Sequence, residues 1–178
     1  MQKAIALDDA LSVAHSALGW FYLFIKQHDL AVMEGERAIA LNPNDAEAYA
    51  NLASTLNCVG RAQEAVGLVE KAMRLNPRYP AFYLYVLGHA FRLLGRTEEA
   101  ITIQKRALAR SPDFLVSHVA LAVMYSESER AQEARTEAAE ILRIYPHFSL
   151  ERWQQGIPFK GQVEVARVAT ALRKAGLK

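Results

Sequence analysis

The chain has 178 residues, of which 52% are apolar and 22% are charged, and it contains six prolines and one cysteine. This composition is typical of one helix-rich globular unit, and it excludes an internal disulfide framework or a cysteine-rich metal site. The net charge of +2 is too small to indicate a nucleic-acid or anionic-membrane surface, so we expect no partner of either kind.

A fixed period defines the predicted elements. Four prolines, each between two apolar helix-like runs, recur at intervals of 34, 35 and 34 residues: Pro43, Pro77, Pro112 and Pro146. In that register a leucine followed by a small residue also recurs, at Leu18-Gly19, Leu52-Ala53, Leu87-Gly88 and Leu121-Ala122. A small residue lets two helices approach closely, and proline ends the second helix of each pair. The pattern predicts four helical hairpins, at 12–45, 46–79, 81–114 and 115–148.

The first element, residues 1–11, lacks the apolar run of a signal peptide, and we expect a cytoplasmic protein. AIALDD at 4–9 is a copy of AIALNP at 38–43, so residues 1–11 are predicted to be the second helix of an incomplete repeat. Without its first helix, Ile5 and Leu7 would have an uncovered face. We expect that the chain is cut from a longer array, or that this N-terminal helix pairs with a second copy in a homodimer.

The repeated columns resemble the tetratricopeptide repeat, a 34-residue helix-turn-helix unit, over roughly residues 1–148. The resemblance implies an all-α fold, a right-handed solenoid of stacked hairpins. Gly60 and Gly95 are predicted to end first helices in the left-handed conformation. Gly35 and Gln104 stand where the family has a bulky apolar residue, so we expect looser packing of the second helices of the first and third repeats.

The last predicted element, residues 149–178, departs from the period. A short helix through Trp153 is expected to end at Gly156, followed by a turn at 157–159. After the turn we expect an amphipathic helix with Val165, either Val168 or Ala169, and Leu172 on one face. We interpret this stretch as a C-terminal capping segment. The alternative is an amphipathic helix that binds a partner or a membrane.

Three short stretches of the C-terminal segment carry a second resemblance. FSLERW, IPFK and LRKAGLK are similar to the ends of bacterial tetratricopeptide regions attached to adenylate or guanylate cyclase or to winged-helix regulator domains. This resemblance implies a bacterial origin, and it makes a regulatory C-terminal region of such a protein the alternative function.

No catalytic constellation is recognisable. None of the five histidines has metal-ligand spacing, and His15 and His118 fall in a repeat column where a half-buried side chain packs between helices. Cys58 has no nearby histidine to activate it, and no glycine-rich phosphate loop occurs. We interpret the chain as non-enzymatic, with no catalytic residue, no cofactor and no metal.

By resemblance to the family, the first helices line a concave groove. Residues 82, 85, 89 and 92 are spaced by 3, 4 and 3, which places them on one stripe of a helix. Aromatic area next to arginine and asparagine favours peptide binding, although Phe82 and Tyr85 could instead only pack against the second repeat. The predicted function is a protein-interaction scaffold that binds a peptide or partner segment. The predicted groove residues are Trp20, Asn51, Asn57, Phe82, Tyr85, His89 and Arg92.

Overall fold

The computed structural model describes the backbone of residues 2–178 and the side chains of residues 11–178. Within this range the chain forms ten α-helices and no strand, which confirms the all-α prediction. The helices are α1 (Gln2–Phe24), α2 (His28–Leu41), α3 (Ala46–Cys58), α4 (Ala62–Leu75), α5 (Ala81–Leu93), α6 (Thr97–Arg110), α7 (Leu115–Glu127), α8 (Ala131–Ile144), α9 (Leu150–Gly156) and α10 (Gln162–Lys174).

The first helix differs from the sequence prediction. The sequence predicts a separate second helix over residues 1–11, whereas α1 runs without a break from Gln2 to Phe24. Asp8 and Asp9 stand where the later repeat has Asn42 and Pro43. Because no proline removes an amide or forces the preceding residue into an extended conformation, the helix continues. The side chains of residues 1–10, including the predicted uncovered face, lie outside the described residues.

Helices α1 to α8 form four consecutive hairpins, and each hairpin packs on the next through its second helix. The first helices α1, α3, α5 and α7 are also neighbours in order, so they line one side of the solenoid. The second residue after each first helix has a positive φ in all four hairpins: Lys26 (61°), Gly60 (84°), Gly95 (76°) and Glu129 (60°). The left-handed conformation predicted for Gly60 and Gly95 is confirmed.

Packing of the second helices is tight at both positions where the sequence predicts looseness, so that prediction is wrong. A Cβ on Gly35 would lie only 2.8 Å from Leu52 Cδ1, which shows that α3 approaches the α2 backbone directly. Gln104 is fully buried; its Nε2 donates to the Tyr85 carbonyl at 3.1 Å, and its Oε1 accepts from Ser117 Oγ at 2.7 Å. Hydrogen bonds to two neighbouring helices therefore replace the missing apolar contact.

The C-terminal residues leave the hairpin stack. Helix α10 packs on α7 and on α9, and the Leu150 N–H donates to the Lys178 carbonyl at 2.8 Å. The loop between α9 and α10 extends back across the first helices, because the Lys160 N–H donates to the Cys58 carbonyl of α3 at 2.9 Å. The sequence prediction of a capping segment at 149–178 did not include this return to the first-helix side.

Candidate functional site

A continuous row of aromatic rings follows the first-helix side. Trp20 of α1 stacks on Phe24, with ring centroids 5.5 Å apart, and reaches Phe82 of α5 at 6.0 Å. The row continues along α5 from Phe82 to Tyr85 at 6.4 Å and from Tyr85 to His89 at 6.0 Å. It ends where the His89 ring meets Phe159 of the C-terminal loop at 5.2 Å. We call these six rings the aromatic row.

The two ends of the aromatic row differ in exposure. Phe24 is 54% exposed, and Trp20 and Phe82 are half-buried, so the α1 end faces solvent. His89 is buried, and burial followed by the charge of Arg92 lowers the pKa of its imidazole to about 3. Burial also raises the pKa of the Tyr85 hydroxyl. The His89 and Tyr85 side chains are therefore neutral at pH 7.

Arg92, the last residue of the predicted stripe, is engaged by carboxylates of two other helices. Its Nη1 lies 3.3 Å from Glu127 Oε1 of α7, and its Nη2 pairs with Glu164 of α10. Glu127 Oε1 also lies 2.6 Å from Arg167 Nε, which makes a second ion pair. Only 5% of the Arg92 side chain is exposed, and a buried guanidinium of this kind is stable only with such partners.

The two predicted asparagines have structural hydrogen bonds. Asn51 Nδ2 donates to Ser16 Oγ at 3.0 Å and so joins α3 to α1. Asn57 Nδ2 donates to the Val86 carbonyl of α5 at 2.9 Å, while its buried Oδ1 has no partner among residues 11–178. The structure thus brings Trp20 together with Phe82, Tyr85 and His89, and it places both asparagines between neighbouring first helices.

The loop after α9 contains the residues that the sequence analysis missed. Phe159 packs both on the main core and on a small cluster of Leu23, Ala31 and Cys58. Its neighbour Pro158 accepts a hydrogen bond from His28 Nε2 at 2.8 Å. A signal was present in the sequence, because GIPFKG at 156–161 holds a run of apolar residues between glycines, and solvent-exposed turns rarely have such a run.

A separate apolar surface covers the first hairpin. Eleven large apolar side chains are exposed among residues 11–178, and eight of them belong to the first hairpin. These eight, the N-terminal patch, are Leu11, Val13, Leu18, Phe21, Phe24, Ile25, Leu30 and Met33. Residues 11–24 of α1 include no Asp, Glu, Lys or Arg, so the patch is uncharged on this helix.

The side chains of His15, His118 and Cys58 take part in the packing of the hairpins. His15 Nδ1 lies 2.5 Å from Glu34 Oε2, and His118 Nδ1 lies 2.6 Å from Glu137 Oε2, each pair within one hairpin. Burial raises the pKa of the Cys58 thiol to about 12, which keeps the sulfur protonated. The described residues contain no cluster of His, Cys, Asp and Glu that could hold a metal ion. None of their helices has the length and apolar character needed to cross a bilayer.

The chain is an all-α solenoid of helical hairpins with the aromatic row on its first-helix side. Residues 44–113 match the family model of the tetratricopeptide repeat. The chain is 28% identical over 87 residues to small glutamine-rich tetratricopeptide repeat-containing protein 2 of Mycosarcoma maydis, a match that covers 49% of this chain and 24% of that protein. It thus spans about a quarter of the curated relative it matches.

Solved structures show the same fold. The chain is similar to PilW, a widely conserved type IV pilus biogenesis factor, with a TM-score of 0.72 at 20% identity over 98% of this chain and 77% of PilW. It is also similar to YrrB, a tetratricopeptide protein with an unusual peptide-binding site, with a TM-score of 0.58 at 17% identity over 98% of this chain and 89% of YrrB.

Proposed function

We propose that the chain is a non-enzymatic protein-interaction scaffold whose groove binds a peptide or an extended segment of a partner. The proposed contact residues are Trp20, Asn51, Asn57, Phe82, Tyr85, His89 and Arg92. One observation carries the proposal: the aromatic row already ends on an extended segment, since the Phe159 ring contacts His89 in a tilted arrangement while its neighbours bond to α3 and to His28. A surface that binds one extended segment is suited to bind others.

The open end of the row provides the contacts for such a segment. Trp20 and Phe82 are half-buried and adjacent, and aromatic side chains of this kind contribute most to the free energy of peptide binding. Asn51 is partly exposed and donates through Nδ2 to Ser16 of α1, so its amide oxygen is the atom that can accept from a main-chain N–H. The peptide-binding site named for YrrB, a protein of the same fold, agrees with this role.

Selection from a random 12-residue peptide library on the full chain tests the proposal. Peptides that bind should lose about tenfold or more in affinity to Trp20→Ala or Phe82→Ala, because removing an aromatic anchor costs about 2 kcal/mol or more. Phe21→Ala is the matched control, since Phe21 is an exposed aromatic residue of the same helix outside the row. Binding that survives both groove variants, or a library without binders, would refute the proposal.

Self-assembly through the N-terminal helix is a second candidate, and the N-terminal patch favours it. Exposed apolar residues of this number on one hairpin are unusual for a monomer. In a two-fold symmetric dimer the same patch of both copies is in contact. An uncharged apolar patch can pack against an identical patch without charge repulsion. Sedimentation should detect a concentration-dependent dimer that Phe21→Glu abolishes. A monomer at every concentration would contradict this candidate.

The regulatory alternative rests on the resemblance of the C-terminal segment. FSLERW and LRKAGLK are joined in the structure by the hydrogen bond from Leu150 to Lys178, so the two stretches form one packed unit. In this alternative the chain is the tetratricopeptide end of a bacterial, cytoplasmic cyclase or winged-helix regulator. An open reading frame encoding such a domain ahead of the Met1 codon would support it, and an in-frame stop codon there would contradict it.

A further inference from the structure

This inference rests on the proposed function and concerns the segment 157–164, which we call the latch. We propose that the latch is a built-in substitute ligand that closes one end of the groove, and that the external partner is a peptide of the same chemistry. That chemistry is an aromatic residue followed directly by a basic residue, with a carboxylate about five positions after the aromatic residue. The latch itself presents it as Phe159, Lys160 and Glu164.

The latch main chain is held as a bound peptide would be. Ile157 and Gly161 have extended backbone angles, so the segment between them is not part of a helix. Its Pro158 carbonyl accepts from His28 Nε2 at 2.8 Å, and its Lys160 N–H donates to the Cys58 carbonyl at 2.9 Å. One acceptor and one donor of the latch are thus satisfied by two different hairpins, which is how extended peptides are recognised through their backbone.

The three side chains of the latch define three subsites. The Phe159 ring lies against the His89 ring at a centroid distance of 5.2 Å, next to the neutral, buried end of the aromatic row. Lys160 Nζ lies 3.0 Å from Asp29 Oδ1 at the start of α2. Glu164 pairs with Arg92, whose side chain is nearly fully buried. The groove therefore accepts an aromatic ring, a cation and an anion in that order along the chain.

The contacts also indicate which part of the C-terminal segment can leave. Val168 and Leu172 of α10 are buried in the main core and anchor that helix on α7. In the latch, by contrast, Phe159 is half-buried, and the Lys160–Asp29 pair is exposed by 54% and 94%, so this ion pair contributes little. A partner that enters along Trp20 and Phe82 can thus displace the latch, including the first turn of α10 with Glu164, while Val168 and Leu172 keep the rest of α10 in the core.

A closed latch occupies one end of the groove. The apparent affinity for an external peptide is therefore the intrinsic affinity multiplied by the fraction of molecules whose latch is open. The probe is a fluorescently labelled synthetic peptide of residues 155–166, QGIPFKGQVEVA, added to the full chain and followed by fluorescence anisotropy. The wild type should bind it weakly, and Phe159→Ala should bind it at least about tenfold more tightly, because the competing ring is gone. Val163→Ala is the matched control: Val163 is 84% exposed within the latch and should leave the affinity at the wild-type value.

A second measurement uses the wild-type chain, so its result does not depend on whether a variant folds. In the wild-type chain, hydrogen exchange at the Lys160 amide should accelerate when a library-selected peptide is added, because the bond to Cys58 is broken. Selected peptides that bind the wild type and Phe159→Ala equally, in a Trp20-dependent way, would overturn the latch and leave the groove function standing. If neither these peptides nor the labelled probe binds any variant, both the latch and the groove function fail.

Discussion

Acidification should destabilise the protein through His89, and the structure gives the size of the effect. Burial and Arg92 lower the pKa of His89 from 6.5 to about 3 in the folded state, so the unfolded chain binds the proton more tightly. The stability due to the neutral imidazole is fully present above pH 6.5 and is lost as the pH falls from 6.5 towards 3. At about 1.4 kcal/mol per pH unit, the loss is about 2 kcal/mol at pH 5 and at most about 5 kcal/mol below pH 3.

Urea unfolding of the wild type and of His89→Phe at pH 7.5 and pH 5.0 measures this effect. Phenylalanine keeps a ring against Tyr85 and Phe159 but cannot take up a proton. Since the other four histidines are present in both proteins, the difference between the two pH dependences reports His89 alone. The variant should lose about 2 kcal/mol less than the wild type between the two pH values. Equal losses in both proteins would refute the assignment of a buried, neutral His89.

Three further predictions concern stability and are measured by thermal or urea unfolding. Lys26→Gly and Glu129→Gly should each stabilise the chain by about 1 kcal/mol, because both residues have a positive φ; no gain would show that the conformation is not strained. Gly88→Ala should destabilise the chain by about 1 to 3 kcal/mol, because the new Cβ would lie 2.7 Å from Gln104 Nε2. In the control Gly67→Ala, also within a helix, the new Cβ meets nothing within 4 Å, so this variant should be neutral or stabilising. Asp45→Ala should cost about 1 kcal/mol, because Asp45 Oδ1 accepts from the Glu47 and Ala48 amides at the start of α3; an unchanged midpoint would contradict this role.

The hairpins could be predicted because their signals are local and repeated. Proline ends a helix through its own ring and missing amide, and glycine adopts a positive φ through its missing Cβ, so Pro43 and Gly60 mark turns without reference to the rest of the chain. The same reasoning explains the errors. Nothing local shows that Gln104 bonds to Ser117 and to the Tyr85 carbonyl, so a polar residue in an apolar column predicts loose packing.

The candidate site was predictable only along a single helix. The spacing of Phe82, Tyr85 and His89 gives their common stripe from helix geometry, and the resemblance to a solenoid brings Trp20 near them. The contacts of the latch do not follow from the geometry of one helix. Pro158 bonds to His28, 130 residues away in the sequence, and Glu164 pairs with Arg92, 72 residues away. Contacts of that separation depend on the stacking angles of several hairpins, which no single period encodes. In this chain, the aperiodic apolar turn at 157–159 belongs to the segment that folds back onto the first-helix side.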